Sequence, residues 1–99
     1  MSQQSQDPWT FLRESLQLRL GVRLDEKAEQ RLKRIFAKGY ERANDMAEFD
    51  AALGQLAERL GGELLFVRMQ RDTPMDQPVS LSEFNAAFRS ICPLWPFCK

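Results

Sequence analysis

Apolar residues recur every three or four positions in the first part of the chain, which is the spacing of one face of an α-helix. The first apolar stripe is formed by Trp9, Leu12, Leu16 and Leu20, and it is widened by Phe11 and Leu18. Asp7 is a suitable N-cap, Pro8 is tolerated at a first helical position, and Gly21 is a typical stop. The pattern therefore predicts a first helix between Asp7 and Gly21.

A second helix is predicted to begin after Asp25, where the 3.6-residue period is followed most closely. Its apolar positions are Ala28, Leu32, Ile35, Phe36, Gly39, Tyr40 and Ala43. A break follows at Asn44 and Asp45, because Asp45 and Glu48 have the spacing of a capping box. The third helix then carries an apolar side made of Met46, Phe49, Leu53, Leu56, Ala57 and Leu60. Gly61 and Gly62 are expected to end it.

The break is not the only interpretation, because the apolar period also runs through it without slipping. One continuous helix over 25–60 is the alternative, and its exposed stripe would need a second chain to cover it. A hairpin would instead bring helices two and three together within one chain. We favour the hairpin.

The segment 63–70 changes character. Two glycines precede a run of four consecutive apolar residues that ends with the β-branched Val67. This pattern is typical of a short strand. A buried helical turn is the alternative. A last helix is predicted to start at Ser80 or Ser82. Glu83 stands at capping-box spacing from Ser80, and Phe84, Ala87, Phe88 and Ile91 share one face. Pro93 should end that helix.

Together these elements predict a mainly α fold, a small domain of about four helices with a helical-hairpin core and one short strand near 63–70. A chain of 99 residues is about one domain long. We expect residues 1–7 to be a disordered polar tail and residues 8–99 to form the domain, which closes with an apolar tail over 92–99.

The charges sum to zero but are segregated along the chain. Residues 8–42 hold nine basic and five acidic residues, a balance of +4, and residues 43–65 hold one basic and five acidic residues, a balance of −4. No signal peptide and no membrane span can be identified, so a cytoplasmic protein without a membrane partner is expected.

The two cysteines, Cys92 and Cys98, do not have the spacing of a metal or redox motif, and the chain contains no histidine. In a cytoplasmic protein they are expected to be reduced thiols. A disulfide-closed loop and a zinc site shared between two chains are less favoured alternatives. No metal and no cofactor are expected.

Catalysis is not expected either. Without histidine, a serine or cysteine nucleophile lacks its usual base, and no phosphate-binding glycine motif is present. We therefore predict no catalytic residues and a protein that is not an enzyme.

Two features suggest binding to another protein. The second helix carries a basic stripe, of which Arg31, Arg34, Lys38 and Arg42 are the candidate contacts. Trp95 and Phe97 in the C-terminal tail should either fold back onto the core, which we favour, or anchor a partner. The resulting hypothesis is an adaptor, inhibitor or assembly factor of the kind found among small bacterial, phage or plasmid accessory proteins. It acts alone or as a homodimer.

Two alternatives use the same features. A DNA-binding regulator would place the basic face of the second helix against phosphates, but Asp25, Glu26 and Glu29 at the start of that helix oppose this. A structural subunit of a helical homo-oligomer would use a second copy to cover an exposed apolar stripe.

Overall fold

The computed structural model describes residues 7–98, and within them the chain forms four α-helices and one short 3₁₀ turn. The elements are α1 (Pro8–Leu20), α2 (Glu26–Arg42), α3 (Met46–Gln70), α4 (Leu81–Ile91) and the 3₁₀ turn (Cys92–Leu94). The prediction of a mainly α domain with four helices is confirmed. The disordered tail predicted over residues 1–7 lies outside the described residues except for Asp7, which is the N-cap of α1.

Each helix begins at a residue whose side chain accepts a hydrogen bond from the backbone N–H three positions later. The four caps are Asp7, Asp25, Asp45 and Ser80. Asp or Ser at this position satisfies a backbone donor that has no partner within the helix. All four starts follow from the sequence for this reason.

The break between α2 and α3 is real, so the alternative of one continuous helix over 25–60 is wrong. Ala43 leaves the helical region with ψ of 144°. The Asn44 N–H then donates to Glu48 Oε1 at 2.7 Å, while the Glu48 N–H donates to Asp45 Oδ1 at 2.8 Å. These two bonds end one helix and begin the next within three residues, although Glu48 accepts from Asn44 and not from Asp45 as a capping box would require.

Helix α3 passes through Gly61 and Gly62 and ends at Gln70, so the expected stop at these glycines and the strand near 63–70 are both wrong. Gly61 lies against α1, and a Cβ atom there would make a tight contact, 3.0 Å from Arg19 Cδ. Beyond it, the buried residues Leu64 and Val67 continue the helical stripe. A helix that packs closely on a neighbour tolerates the low helix propensity of glycine, because tertiary packing outweighs it.

The core lies where α3 packs against α1 on one side and α4 on the other. Helix α2 meets α3 near their connection, where the Phe36 and Phe49 rings are 5.2 Å apart between centroids. The connection after α1 is joined to the one before α4 by a single parallel bridge between Leu24 and Val79. None of the helices over residues 7–98 is long and apolar enough to cross a bilayer.

A buried ion pair connects α3 to α4 at the far side of the core. Arg68 is fully buried and its Nε donates to Glu83 Oε2 at 3.1 Å. Its Nη2 donates to the carbonyls of Gln77 and Pro78, which fixes the loop between the two helices. Glu83 also accepts a bond from the Ser80 N–H at 3.0 Å, which completes the capping box.

Candidate functional site

The C-terminal tail folds back onto the helices, as the favoured prediction stated. Trp95 is 5% exposed and Phe97 is 6% exposed, and both belong to the main core. Their rings meet edge to face with centroids 5.1 Å apart. Neither side chain is therefore free to project into a partner as an anchor.

Gly39 of α2 makes room for this tail. A Cβ atom at that position would lie 2.7 Å from Trp95 Cζ2 and 3.3 Å from Phe97 Cδ2. Arg42, one helical turn further on, donates from Nη1 to the Phe97 carbonyl at 3.3 Å. The tail thus packs on α2 because Gly39 has no side chain, and a hydrogen bond from Arg42 holds it there.

Cys92 and Cys98 are joined by a disulfide, which corrects the expectation of reduced thiols. The 3₁₀ turn after α4 and a bond from the Cys98 N–H to the Trp95 carbonyl at 3.1 Å reverse the chain. The reversal brings the two Cα atoms to 5.7 Å, within the range that a disulfide spans. Both cysteines remain partly exposed.

A groove runs between α2, α4 and the folded tail, and we call it the basic groove. Its inner section has a volume of about 400 Å³ and its outer section about 850 Å³. The two sections share Arg31, Arg34, Phe88, Cys92, Trp95 and Cys98 as lining residues. Lys38 and Phe97 line only the inner section, and Asn85 and Arg89 line only the outer one.

The lining of the basic groove is positively charged and apolar. Arg31, Arg34 and Lys38 come from α2, and Arg89 comes from α4. No carboxylate side chain stands among the lining residues that the structure describes. Arg31 lies over the Phe88 ring, 5.9 Å from its centroid, so it is held in the wall by a cation–π contact. The cations therefore face a space that an anion can enter.

Five of the six candidate partner-binding residues line the basic groove. Arg31, Arg34 and Lys38 present their charges to it, and Trp95 and Phe97 form part of its apolar lining. Arg42 stands apart from the lining residues given above and bonds to the tail instead. Three of the four cations predicted from the spacing along α2 thus line one wall of the groove.

The opposite wall was missed. Phe88 appeared in the sequence only as a core position, and Asn85 and Arg89 on the same helix had no role assigned. A single exposed arginine such as Arg89 forms no sequence pattern that would indicate a binding site. The packing of α2 against α4 is a tertiary contact, which sequence spacing does not predict. A loop closed by Cys92 and Cys98 was among the alternatives, and it was less favoured because disulfides are rare in cytoplasmic proteins.

The geometry of the groove suits binding of an anion. Arginine offers several fixed donors to a carboxylate or phosphate, and lysine offers a compact charge. Among residues 7–98 no group of three or more His, Cys, Asp or Glu side chains is placed to hold a metal ion. Comparison with protein-family models, curated proteins and solved structures found no match to this chain.

Proposed function

We propose that this protein is a non-enzymatic binding protein, an adaptor, inhibitor or assembly factor, whose basic groove takes an acidic segment of a protein partner. The observation that carries the proposal is the set of four cations from two helices, Arg31, Arg34, Lys38 and Arg89, around an apolar lining. Charge complementarity selects the acidic segment, because opposite potentials steer partners together and disfavour others.

The apolar lining narrows the partner further. Exposed ion pairs contribute only about 0–1 kcal/mol each, so charge alone gives weak affinity. The partly exposed disulfide offers apolar surface between the cations, and the largely buried rings of Phe88 and Trp95, 7% and 5% exposed, add a small edge to it. A segment with glutamates or aspartates around one aromatic or aliphatic side chain would use both properties, since buried apolar contacts supply most interface energy.

Nucleic acid is the less favoured ligand for the same groove. The start of α2 carries Asp25, Glu26 and Glu29, and the formal net charge of the chain is zero. The acidic residues at the start of α2 would repel phosphates, and a chain with zero net charge does not attract nucleic acid from a distance. A second copy of this chain is a further alternative, since its acidic segment over 43–65 could occupy the groove.

The cytoplasmic location expected from the sequence remains part of the proposal. Persistent disulfides are typical of oxidising compartments, and those of cytosolic proteins are usually transient or redox-sensing. The Cys92–Cys98 bond therefore fits a cytoplasmic protein only if it is formed and broken reversibly.

The test uses a fluorescein-labelled synthetic peptide with glutamates around one phenylalanine, titrated with the full chain and followed by fluorescence anisotropy. Arg34→Gln/Lys38→Gln removes two exposed groove charges. Arg23→Gln/Lys27→Gln removes two charges outside the lining of the groove and serves as the matched control. We expect the groove variant to weaken binding about tenfold or more, and the control to bind like the parent, because attractive charge acts mainly at short range.

Three results would contradict the proposal. Equal weakening by both variants would show non-specific attraction, and tighter binding of a random-sequence DNA duplex would favour the regulator. No peptide binding together with concentration-dependent self-association in sedimentation would favour the homo-oligomer.

A further inference from the structure

The Cys92–Cys98 disulfide lies in the wall of the basic groove. A disulfide reacts with thiols, and the cations beside it attract thiols that carry negative charge. Cys92 and Cys98 line both sections of the basic groove, beside Arg31 and Arg34. Both cysteines are partly exposed, so a small thiol can reach the bond from the groove. The two cysteines of the chain are thus placed together in a groove that is lined by cations.

We propose that the Cys92–Cys98 disulfide is a reversible exchange site for anionic thiols of the glutathione class. The cations of the basic groove bind the carboxylates of these thiols. The inference uses the groove of the proposed function but requires no protein partner. Thiol exchange at the disulfide is a separate property, so the protein can show it even if it binds no acidic peptide.

The reaction proceeds by thiol–disulfide exchange, with the glutathione-class thiol as the named reductant. Its thiolate bonds to one cysteine sulfur, the S–S bond breaks, and the electron pair leaves on the other cysteine as a thiolate. A second thiol then displaces the protein from the mixed disulfide. The products are two protein cysteine thiols and one oxidised dimer of the reductant, and the reverse reaction restores the bond.

The groove cations favour this reaction at two points. Clefts lined by one sign of charge raise the local concentration of opposite charge and speed association, by about tenfold or more. Positive groups also stabilise a cysteine thiolate, which here is the leaving group of the first step. The thiolate of an otherwise uncharged thiol carries only the charge on its sulfur, whereas glutathione adds two carboxylates and one ammonium group. The first effect is therefore larger for glutathione, and the ratio of the two rates reports it.

The experiment measures second-order rate constants for reduction of the full chain by glutathione and by the neutral thiol 2-mercaptoethanol, with free cysteines alkylated and counted by mass spectrometry. Glutathione and 2-mercaptoethanol differ in intrinsic reactivity, so the measured quantity is the ratio of their rate constants in each protein. We expect this ratio to fall about tenfold in Arg34→Gln/Lys38→Gln and to stay unchanged in Arg23→Gln/Lys27→Gln.

The inference is overturned by an unchanged ratio in the groove variant, by an equal fall in both variants, or by a bond that neither thiol reduces in the folded protein. Isolation of the parent chain with both cysteines free under oxidising conditions would overturn it too. If the acidic peptide does not bind but the ratio of rate constants falls as expected, the proposed function is wrong and the exchange site is supported.

Discussion

The indole of Trp95 lies over the bare backbone of Gly39, so close that a Cβ atom there would stand 2.7 Å from Trp95 Cζ2. This contact joins the C-terminal tail to α2 and thereby closes one side of the basic groove. The shape of the groove depends on a residue that contributes no side chain to it.

Gly39→Ala should destabilise the protein, although alanine is the better helix former. The clash with Trp95 costs about 1–3 kcal/mol if the tail stays in place, and the gain in helix propensity of about 1 kcal/mol reduces the net loss to at most about 2 kcal/mol. Urea unfolding followed by circular dichroism gives the free energy of unfolding. A variant more stable than the parent would show that the tail does not rest on Gly39.

Gly62→Ala is the matched control. Gly62 lies within α3, and a Cβ atom there would meet nothing within 4 Å. The same substitution should therefore stabilise the protein by about 0.5–1 kcal/mol, because alanine loses less conformational freedom than glycine in a helix. Opposite signs at residues 39 and 62 separate the effect of the tail from that of helix propensity.

The buried pair of Arg68 and Glu83 should make stability depend on pH. Burial of the Glu83 carboxylate opposes ionisation, but hydrogen bonds from the Ser80 N–H and from Arg68 outweigh it and hold the pKa of Glu83 below 4.5. A carboxyl group whose pKa is lower in the folded state stabilises the fold above its ordinary pKa. That contribution is lost as the pH falls from about the ordinary value of 4.5 through the lower, folded value.

Glu83→Gln isolates this contribution. Glutamine can still complete the capping box with Ser80, so the main loss is the charge that compensates buried Arg68, and a cost of about 3 kcal/mol is expected at neutral pH. Urea unfolding across acidic pH should show the difference between parent and variant shrinking as Glu83 of the parent becomes protonated. Glu58→Gln, at an exposed position of α3, is the control and should change stability at neutral pH by less than about 0.5 kcal/mol.

Trp95→Ala should lower both stability and peptide binding. Removing a buried aromatic side chain costs about 3–5 kcal/mol, and the same ring lines the basic groove. Leu94→Ala is the neighbouring control, because Leu94 is 55% exposed and its truncation should change stability by less than about 0.5 kcal/mol. Thermal unfolding and the peptide titration measure the two effects, and equal unfolding temperatures for both variants would argue against a tail packed on the core.

The helix starts could be predicted because each depends on local chemistry. Asp25 and Ser80 cap the helices that follow them by bonds that span three residues, and such bonds are visible in sequence spacing. The break before Asp45 was identified for the same reason. Apolar periodicity likewise identified the buried face of α4 and most of that of α2, although Tyr40 of the predicted face is 57% exposed.

The continuation of α3 could not be predicted, because it depends on a distant helix. Gly61 has the appearance of a stop in the sequence, yet its lack of a side chain lets Arg19 of α1 approach. The partner that balances the charge of Arg68 is Glu83, and nothing in the sequence pairs two residues that far apart. The second wall of the basic groove was hidden for the same reason, since Arg31 meets Phe88 only after folding.

The chain contains two tryptophans, which allow the central claim to be tested in one experiment. Trp95 lines the basic groove, whereas Trp9 lies on α1 against Phe36, with ring centroids 5.6 Å apart. Their indole N–H groups give separate signals in a ¹H–¹⁵N correlation spectrum. Titration with the unlabelled glutamate–phenylalanine peptide should shift the Trp95 signal and leave the Trp9 signal in place; a shift of Trp9 alone, or no shift of either, would contradict binding in the groove.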